Sequence, residues 1–387
     1  MIVVDESNCS GCASCEQICP QKAITMLPNE NGFSLPSVDN IKCIKCELCV
    51  NTCPLKNKLV KKSVIESYAG VSNSKESKNS TSGGMFYEIA RQYIDEGGAV
   101  FGASYANNLD VNIIRARDKG DLRKIQGSKY VQANTVDTYH QVKQLIRDGV
   151  KVFYSGTPCQ IAGLLAYLKN DNLSNLLTAE IICHGVMSPQ FFKDYINWIE
   201  SNERKKLIDY KFRTKNVSHK KDFQCELTFD DGEKKIISGF SDPYYQIFMK
   251  SNSLRKSCYN CEFSSNDRVA DLTLGDFWNI EDLSYSTIKK GRISAVTCNS
   301  EKGLEIIKMI SKQASLRKVD YRVVKRGNSN LSRPTSMPAD YFEYSSLDNK
   351  DNFFQEWKNK KLNSKKEKFN NLPLNFRYLL KKIRRLV

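Results

Sequence analysis

Histidine is scarce in this chain, acid is outnumbered by base, and long apolar runs are missing. Three His in 387 residues exclude a His-rich metal chemistry. The longest apolar stretches, such as Ala99–Ala103, fall far short of the ~20 residues of a membrane span. The amino terminus, Met1 to Glu6, has neither a basic stretch nor an apolar core. No signal peptide is therefore expected, and the expected location is the cytoplasm. Asp and Glu number 43 against 59 Lys and Arg, a net charge of +16. With 40% hydrophobic and 26% charged residues the chain reads as globular, not disordered. At a soft ~150 residues per domain, it holds two or three domains.

Cysteine is what the chain has in quantity. Fourteen Cys in a cytoplasmic protein are poor disulfide candidates and good metal ligands. Eight lie in the first 53 residues, in two matching runs. Cys9, Cys12, Cys15 and Cys19 precede Pro20; Cys43, Cys46, Cys49 and Cys53 precede Pro54. Each run reads C-x2-C-x2-C-x3-C-P, the two-cluster ferredoxin pattern, in which the fourth Cys ligates the other cluster. One [4Fe-4S] cluster is expected on Cys9, Cys12, Cys15 and Cys53, and a second on Cys43, Cys46, Cys49 and Cys19. Zinc or disulfides are the alternatives, but zinc sites usually pair two C-x2-C units across a spacer.

The middle of the chain alternates strand and helix. Residues 65–71 read as a strand and 72–82 as a polar loop. Apolar residues at 85, 86, 89, 90, 93 and 94 follow helical spacing. Ser80 to Gly84, ahead of that helix, form either an anion site or a plain cap. Strands are expected at 99–103, 111–116, 150–154 and 177–182. Helices are expected at 137–147 and 161–168, with a turn at 155–160. This is a β-α-β pattern and predicts a partly parallel sheet. Cys159 then sits between a strand's carboxyl end and a helix's amino end, where a thiolate is favoured and open α/β sheets bind ligands. Cys183 ends the next strand, and Cys258 and Cys261 form a C-x2-C. These four could complete another cubane, or the isolated ones could be small buried hydrophobes. Cys225 and Cys298 have no partners and read as core residues.

Several segments resemble the coenzyme F420 hydrogenase/dehydrogenase beta-subunit family. They are Gly127–Gln132, Tyr154–Gly163, Ile182–Val186, Lys211–Arg213, Pro243–Tyr245, Leu254–Cys261 and, most telling, Asp271–Trp278. The resemblance runs from about residue 65 to 315, and the two-cluster ferredoxin is a common fusion in that family. It implies an FAD-binding core with an iron–sulfur cluster beside it on Cys159, Cys183, Cys258 and Cys261. It further suggests that Ser82, Gly83, Gly84, Lys129, Ser155, Gly156 and Thr157 line the flavin site. A cation and a turn of backbone N–H groups suit a phosphate or an anionic reduced flavin. Asp276 and Trp278 read equally as site residues or as a turn residue and a core aromatic. His184 is a proton donor or a support for the neighbouring ligand. Relatives use the deazaflavin F420, act as ferredoxin-linked reductases, or accompany cell-surface polysaccharide synthesis. No sequence mark of F420 binding is evident here.

The expected fold class is α+β and multi-domain. A 2x[4Fe-4S] ferredoxin-like domain at 1–60 precedes a linker and first core strand at 61–82. An α/β flavin-binding core with a partly parallel mixed sheet follows at 83–345, and a basic amphipathic tail at 346–387. Residues 355–387 carry a net +9 of the total charge, with apolar residues at 376, 379, 380, 383, 386 and 387 on one helical face. A packed helix, an anionic membrane surface at the inner face of the membrane, or an acidic redox partner would explain that tail. No nucleic-acid module is present. The expected function is that of an iron–sulfur flavoprotein oxidoreductase with three [4Fe-4S] clusters and FAD. It would exchange electrons with a ferredoxin-like protein and reduce a small organic substrate or F420. The alternative is an electron-transfer subunit with no organic substrate of its own.

Overall fold

The computed structural model describes residues 4–215, 223–278, 293–347 and 350–362. The basic face expected at 376–387 lies outside the described residues.

The amino-terminal segment holds two short helices and a hairpin. Helix α1 (Ser14–Ile18) starts from Ala13 in the left-handed region, at φ 60°. Strands β1 (Ile24–Pro28) and β2 (Ser34–Val38) pair antiparallel, and α2 (Leu48–Asn51) follows. Few apolar side chains are buried here: Ala13, Ala23, Ile24 and Phe33. A core that small needs covalent or metal staples.

The rest is built on a mixed sheet. Its strands are β3 (Glu66–Ser72), β4 (Ala99–Tyr105), β5 (Val111–Ala116), β6 (Val152–Gly156), β7 (Leu176–Ile181), β11 (Leu272–Asp276), β12 (Ser294–Cys298) and β13 (Ala314–Lys318). Their order is β13-β3-β12-β11-β7-β6-β4-β5. Strands β4, β6, β7 and β11 run parallel, and the flanking pairs are antiparallel. The carboxyl ends of the four parallel strands therefore share one rim. Val152, Phe153 and Tyr154 are fully buried, as a strand covered on both faces requires.

Helices cover the sheet. Helix α3 (Met85–Asp95) buries Met85, Ile89 and Ala90, as its apolar spacing demands. Then come α4 (Lys119–Ile125), α5 (Thr138–Arg147) and α6 (Pro158–Tyr167). Helix α6 begins three residues earlier than its apolar pattern suggests. Pro158 occupies the first turn, where its fixed φ is favourable. Gln160 Oε1 accepts from the Thr157 backbone N–H at 3.0 Å and closes the start. Cys159 thus stands inside a helical first turn, not in a loop.

Helix α7 (Pro189–Glu203) packs on a three-stranded antiparallel sheet of β8 (Leu207–Lys211), β9 (Gln224–Phe229) and β10 (Lys234–Ser238). Helix α8 (Pro243–Lys250) completes this aromatic region, where Phe192, Tyr210, Phe212 and Tyr244 are buried together. Helices α9 (Glu301–Met309), α10 (Tyr321–Gly327) and α11 (Lys350–Leu362) follow. Cys225 in β9 and Cys298 in β12 are both fully buried. No helix among the described residues is long and apolar enough to cross a membrane.

Candidate functional site

Three sets of four cysteines come together. The first combines Cys9, Cys12 and Cys15, at the entry to α1, with Cys53, just beyond α2. Gly11, at φ +67°, and Ala13 turn the chain sharply enough to bring three thiols to one side. Burial pushes the Cys15 thiol up to about 12, and the nearby Cys9 and Cys53 charges add to the rise. Burial likewise drives Cys12 upward, with Cys15, Cys159 and Cys9 as repelling neighbours.

The second set crosses between the two runs. Cys19 lines one small cavity with Cys43, Cys46 and Cys49. Cys19 is the fourth member of the first run, so the swap of fourth cysteines is present in the geometry.

The third set lies on the carboxyl rim of the main sheet. Cys159 opens α6, Cys183 follows β7, and Cys258 and Cys261 come from the 256–260 turn. All four line a cavity of about 270 Å3 with His184, Arg268 and Asn330. The expectation that the helix start favours the Cys159 thiolate is not met: burial pushes this thiol up to about 11. Thr157 Oγ1, 3.2 Å from its sulfur, and Arg255 only offset part of that rise. A helix terminus is a partial charge, whereas loss of water acts on the full thiolate charge. Cys258 is pushed up to about 12 by burial, with Cys261 and Cys159 adding repulsion. Buried, mutually repelling thiols are costly to ionise unless a metal supplies positive charge.

Among the described residues, no three His, Cys, Asp or Glu groups converge closely enough for a single ion. Four thiolates on one zinc sit about 2.3 Å from it. An iron–sulfur cube holds its ligands farther apart, so the wider spacing of these sets fits a cluster.

The first and third sets share helix α6 as a wall. A Cβ added at Gly163 would stand 3.0 Å from both Cβ and Sγ of Cys12. Ser14 Oγ donates to Gly163 O at 3.0 Å, and Tyr139 Oη donates to both Cys12 O and Gln160 O. No sequence pattern marks Gly163 or Tyr139, because the contact spans some 150 residues.

The residues expected around a flavin fall at the same rim but on different loops. Ser82 Oγ donates to Ile293 O at 2.9 Å, beside the end of β11. Gly83 is pressed on backbone: an added Cβ would lie 2.2 Å from Gly70 O and 2.5 Å from Ser294 N. Gly84 starts α3 at φ +89°. Ser128 N donates to Thr81 Oγ1 at 2.8 Å, which joins this loop to the one bearing Lys129. The Lys129 ammonium donates to the carbonyls of Lys124, Gln126 and Gly127, and burial lowers it to about 8 against the pull of Asp209. Ser155, Gly156 and Thr157 end β6, two strands along the sheet from β11. Asp276 is paired with Arg213 at 2.5 Å, and that guanidinium lies over the Phe223 and Trp278 rings.

Two observations bear on whether a flavin fits. Gln126 Oε1 and Arg213 Nε are buried on this rim without hydrogen-bond partners. Tyr130 stacks on Phe248 at 4.2 Å, and Phe248 stacks on His184 at 5.8 Å. Unpartnered polar atoms beside an aromatic row that reaches the third cysteine set suit a planar group with polar edges. Burial keeps His184 below its ordinary range, hence neutral.

Because backbone cannot yield as a side chain can, Gly83→Ala should destabilise the chain by about 1–3 kcal/mol. Thermal unfolding reads this; an unchanged midpoint would show that the loop moves freely off β3.

Known proteins share these features. The profile for the C terminus of the coenzyme F420 hydrogenase/dehydrogenase beta subunit matches residues 149–322, and that of a 4Fe-4S dicluster domain matches residues 8–57. The chain belongs to the F420 hydrogenase/dehydrogenase beta-subunit family. The F subunit of the F(420)H(2) dehydrogenase of Methanosarcina mazei is 21% identical over 201 residues, 48% of this chain. The match spans 57% of that relative's length. An uncharacterized ferredoxin, MJ0722, of Methanocaldococcus jannaschii is 33% identical over 60 residues, 16% of this chain and 77% of the relative. A chain of the F420-reducing [NiFe] hydrogenase complex from Methanosarcina barkeri superposes with a TM-score of 0.46 at 14% identity, covering 70% of this chain and 93% of that one. This family member is thus an iron–sulfur protein of an oxidoreductase family, with a dicluster segment at its amino end.

Proposed function

We propose that this chain is an iron–sulfur flavoprotein that relays single electrons between an outside redox protein and FAD, where an organic substrate or a deazaflavin such as F420 reacts. The observation that carries the reading is the contact of Cys12 with the α6 wall that bears Cys159. Bound clusters would supply one-electron transfer, and a bound flavin both one- and two-electron chemistry. Cys9, Cys12, Cys15 and Cys53 would hold one cluster, Cys19, Cys43, Cys46 and Cys49 the next, and Cys159, Cys183, Cys258 and Cys261 a third. The rim residues Ser82, Gly83, Gly84, Lys129 and Ser155–Thr157 would hold the flavin, with Tyr130 and Phe248 excluding water between it and His184. The deazaflavin is suggested by the Methanosarcina mazei relative, a dehydrogenase of reduced F420.

A second reading, an electron-transfer subunit without its own organic substrate, draws on the surface near the second set. Cys46 is exposed there, beside Ile41 at 98% and Ile44 at 61% exposure. Apolar side chains around a reachable cluster suit docking of another redox protein.

Iron, sulfide and flavin per chain, measured after anaerobic purification, test the proposal. About twelve iron and one FAD are expected. Cys183→Ser should lower iron to about eight while the amino-terminal clusters persist. About eight iron and no flavin in the unaltered chain would overturn the proposal.

A further inference from the structure

Arg255 joins the amino-terminal segment to the third cysteine set, and only 3% of it is exposed. Its backbone is tied to the turn that carries Cys258: its N–H donates to Val186 O at 3.0 Å, and its carbonyl accepts from Cys258 N at 2.9 Å. Its side chain reaches the other way. Nε donates to Cys9 O at 2.6 Å, Nη1 to Gln132 Oε1 at 2.8 Å, and Nη2 to Ser34 O at 3.1 Å. The guanidinium rests over the Phe33 ring at 5.4 Å. Gln132 Nε2 donates in turn to Ser10 O at 3.2 Å.

All three acceptors are neutral. Among the described residues no carboxylate pairs with Arg255; Glu343, in the same region, pairs with Lys256 at 2.8 Å. A buried cation without a counter-charge is strongly disfavoured. The negative charge that balances it has to come from the thiolate sets on either side. The guanidinium's field acts on Cys159 and Cys258, opposing part of what burial does to them.

We propose that Arg255 is a positioning residue for electron transfer, the shared counter-charge that holds the Cys9–Cys53 set against the Cys159–Cys261 set and favours an added electron there. The inference rests on the reading that both sets hold [4Fe-4S] clusters. Each reduction adds one electron and one negative charge to a set, and a fixed cation nearby stabilises that charge. In a titration the electron comes from dithionite, which is oxidised. No hydrogen bond among the described residues joins Arg255 to the Cys19, Cys43, Cys46 and Cys49 set, so that set is the internal reference.

The experiment is an EPR-monitored redox titration of the full chain, purified anaerobically, after iron has been counted. Arg255→Gln should hold the same iron but reduce about tenfold less readily at the two flanking clusters, a fall of about 59 mV for one electron. Arg255→Lys, which keeps the charge, should recover most of that fall. If Arg255→Gln loads iron poorly, Gln132→Glu carries the test: it places a carboxylate on Nη1 with the guanidinium kept and should shift the same two potentials downward. Loaded variants with unmoved potentials, or equal shifts in Arg255→Gln and Arg255→Lys, would overturn the proposal. About eight iron in the unaltered chain would overturn instead the reading beneath it.

Discussion

Glu180→Ala should cost about 3–5 kcal/mol, because it leaves a buried guanidinium without its partner. Glu180 ends its strand with a fully buried carboxylate that pairs with Arg268, itself 1% exposed at the side chain. The same carboxylate accepts from Thr273 Oγ1 at 3.1 Å and from the backbone N–H groups of Val269 and Ala270 at 3.3 and 3.4 Å. Arg268 Nη1 donates to Phe263 O and Ser265 O, so the pair fixes the loop that leaves Cys261. Hydrogen exchange at the Val269 and Ala270 amides reads the local opening directly. Their protection should fall by two orders of magnitude or more, on the order of what about 3 kcal/mol implies. A double Glu180→Ala, Arg268→Met variant should recover much of the loss, since it removes both charges. Protection unchanged in Glu180→Ala would mean that the loop is held by its backbone contacts alone.

Gly163→Val should break the seam between the amino-terminal segment and the core. The first added carbon would already lie 3.0 Å from Cys12 and from Tyr139 Oη, and the two methyl groups have no space beyond it. Helix α6 tolerates valine at modest cost, so the damage falls on Cys12 rather than on the helix. Iron should drop by about four atoms, one cluster's worth, with the Cys159 set still loaded. EPR of the reduced protein would separate this from the Cys183→Ser result, because a different signal disappears. Full iron content in Gly163→Val would show that the Cys12 loop can retreat from α6 without losing its shape.

Much of the local structure is legible in the sequence. The strands at Glu66–Ser72, Ala99–Tyr105 and Val152–Gly156 fall where short apolar runs stand between turn residues. Helix α3 follows from its 3.6-residue apolar spacing. The start of α6 departs from its apolar stretch because capping by Thr157, Pro158 and Gln160 extends the helix beyond it. The Cys159 thiol departs from the thiolate that its helix position favours, because depth of burial is a property of everything packed above the helix.

By itself the sequence determined the kind of chemistry. Eight cysteines at fixed short spacings specify thiolate ligands and which fourth cysteine changes partner, since steric reach over two or three residues is a local matter. It also specified a parallel strand-helix core, through periodicity that acts within single elements. Only the tertiary structure decided that Cys12 meets the helix of Cys159, that Cys183 shares a cavity with Cys258, and that Arg255 lies between two cysteine sets. Those relations join residues more than a hundred positions apart in Cys12–Cys159 and Cys9–Arg255. They depend on how whole faces pack and how much water they exclude, and no short stretch of sequence carries that information.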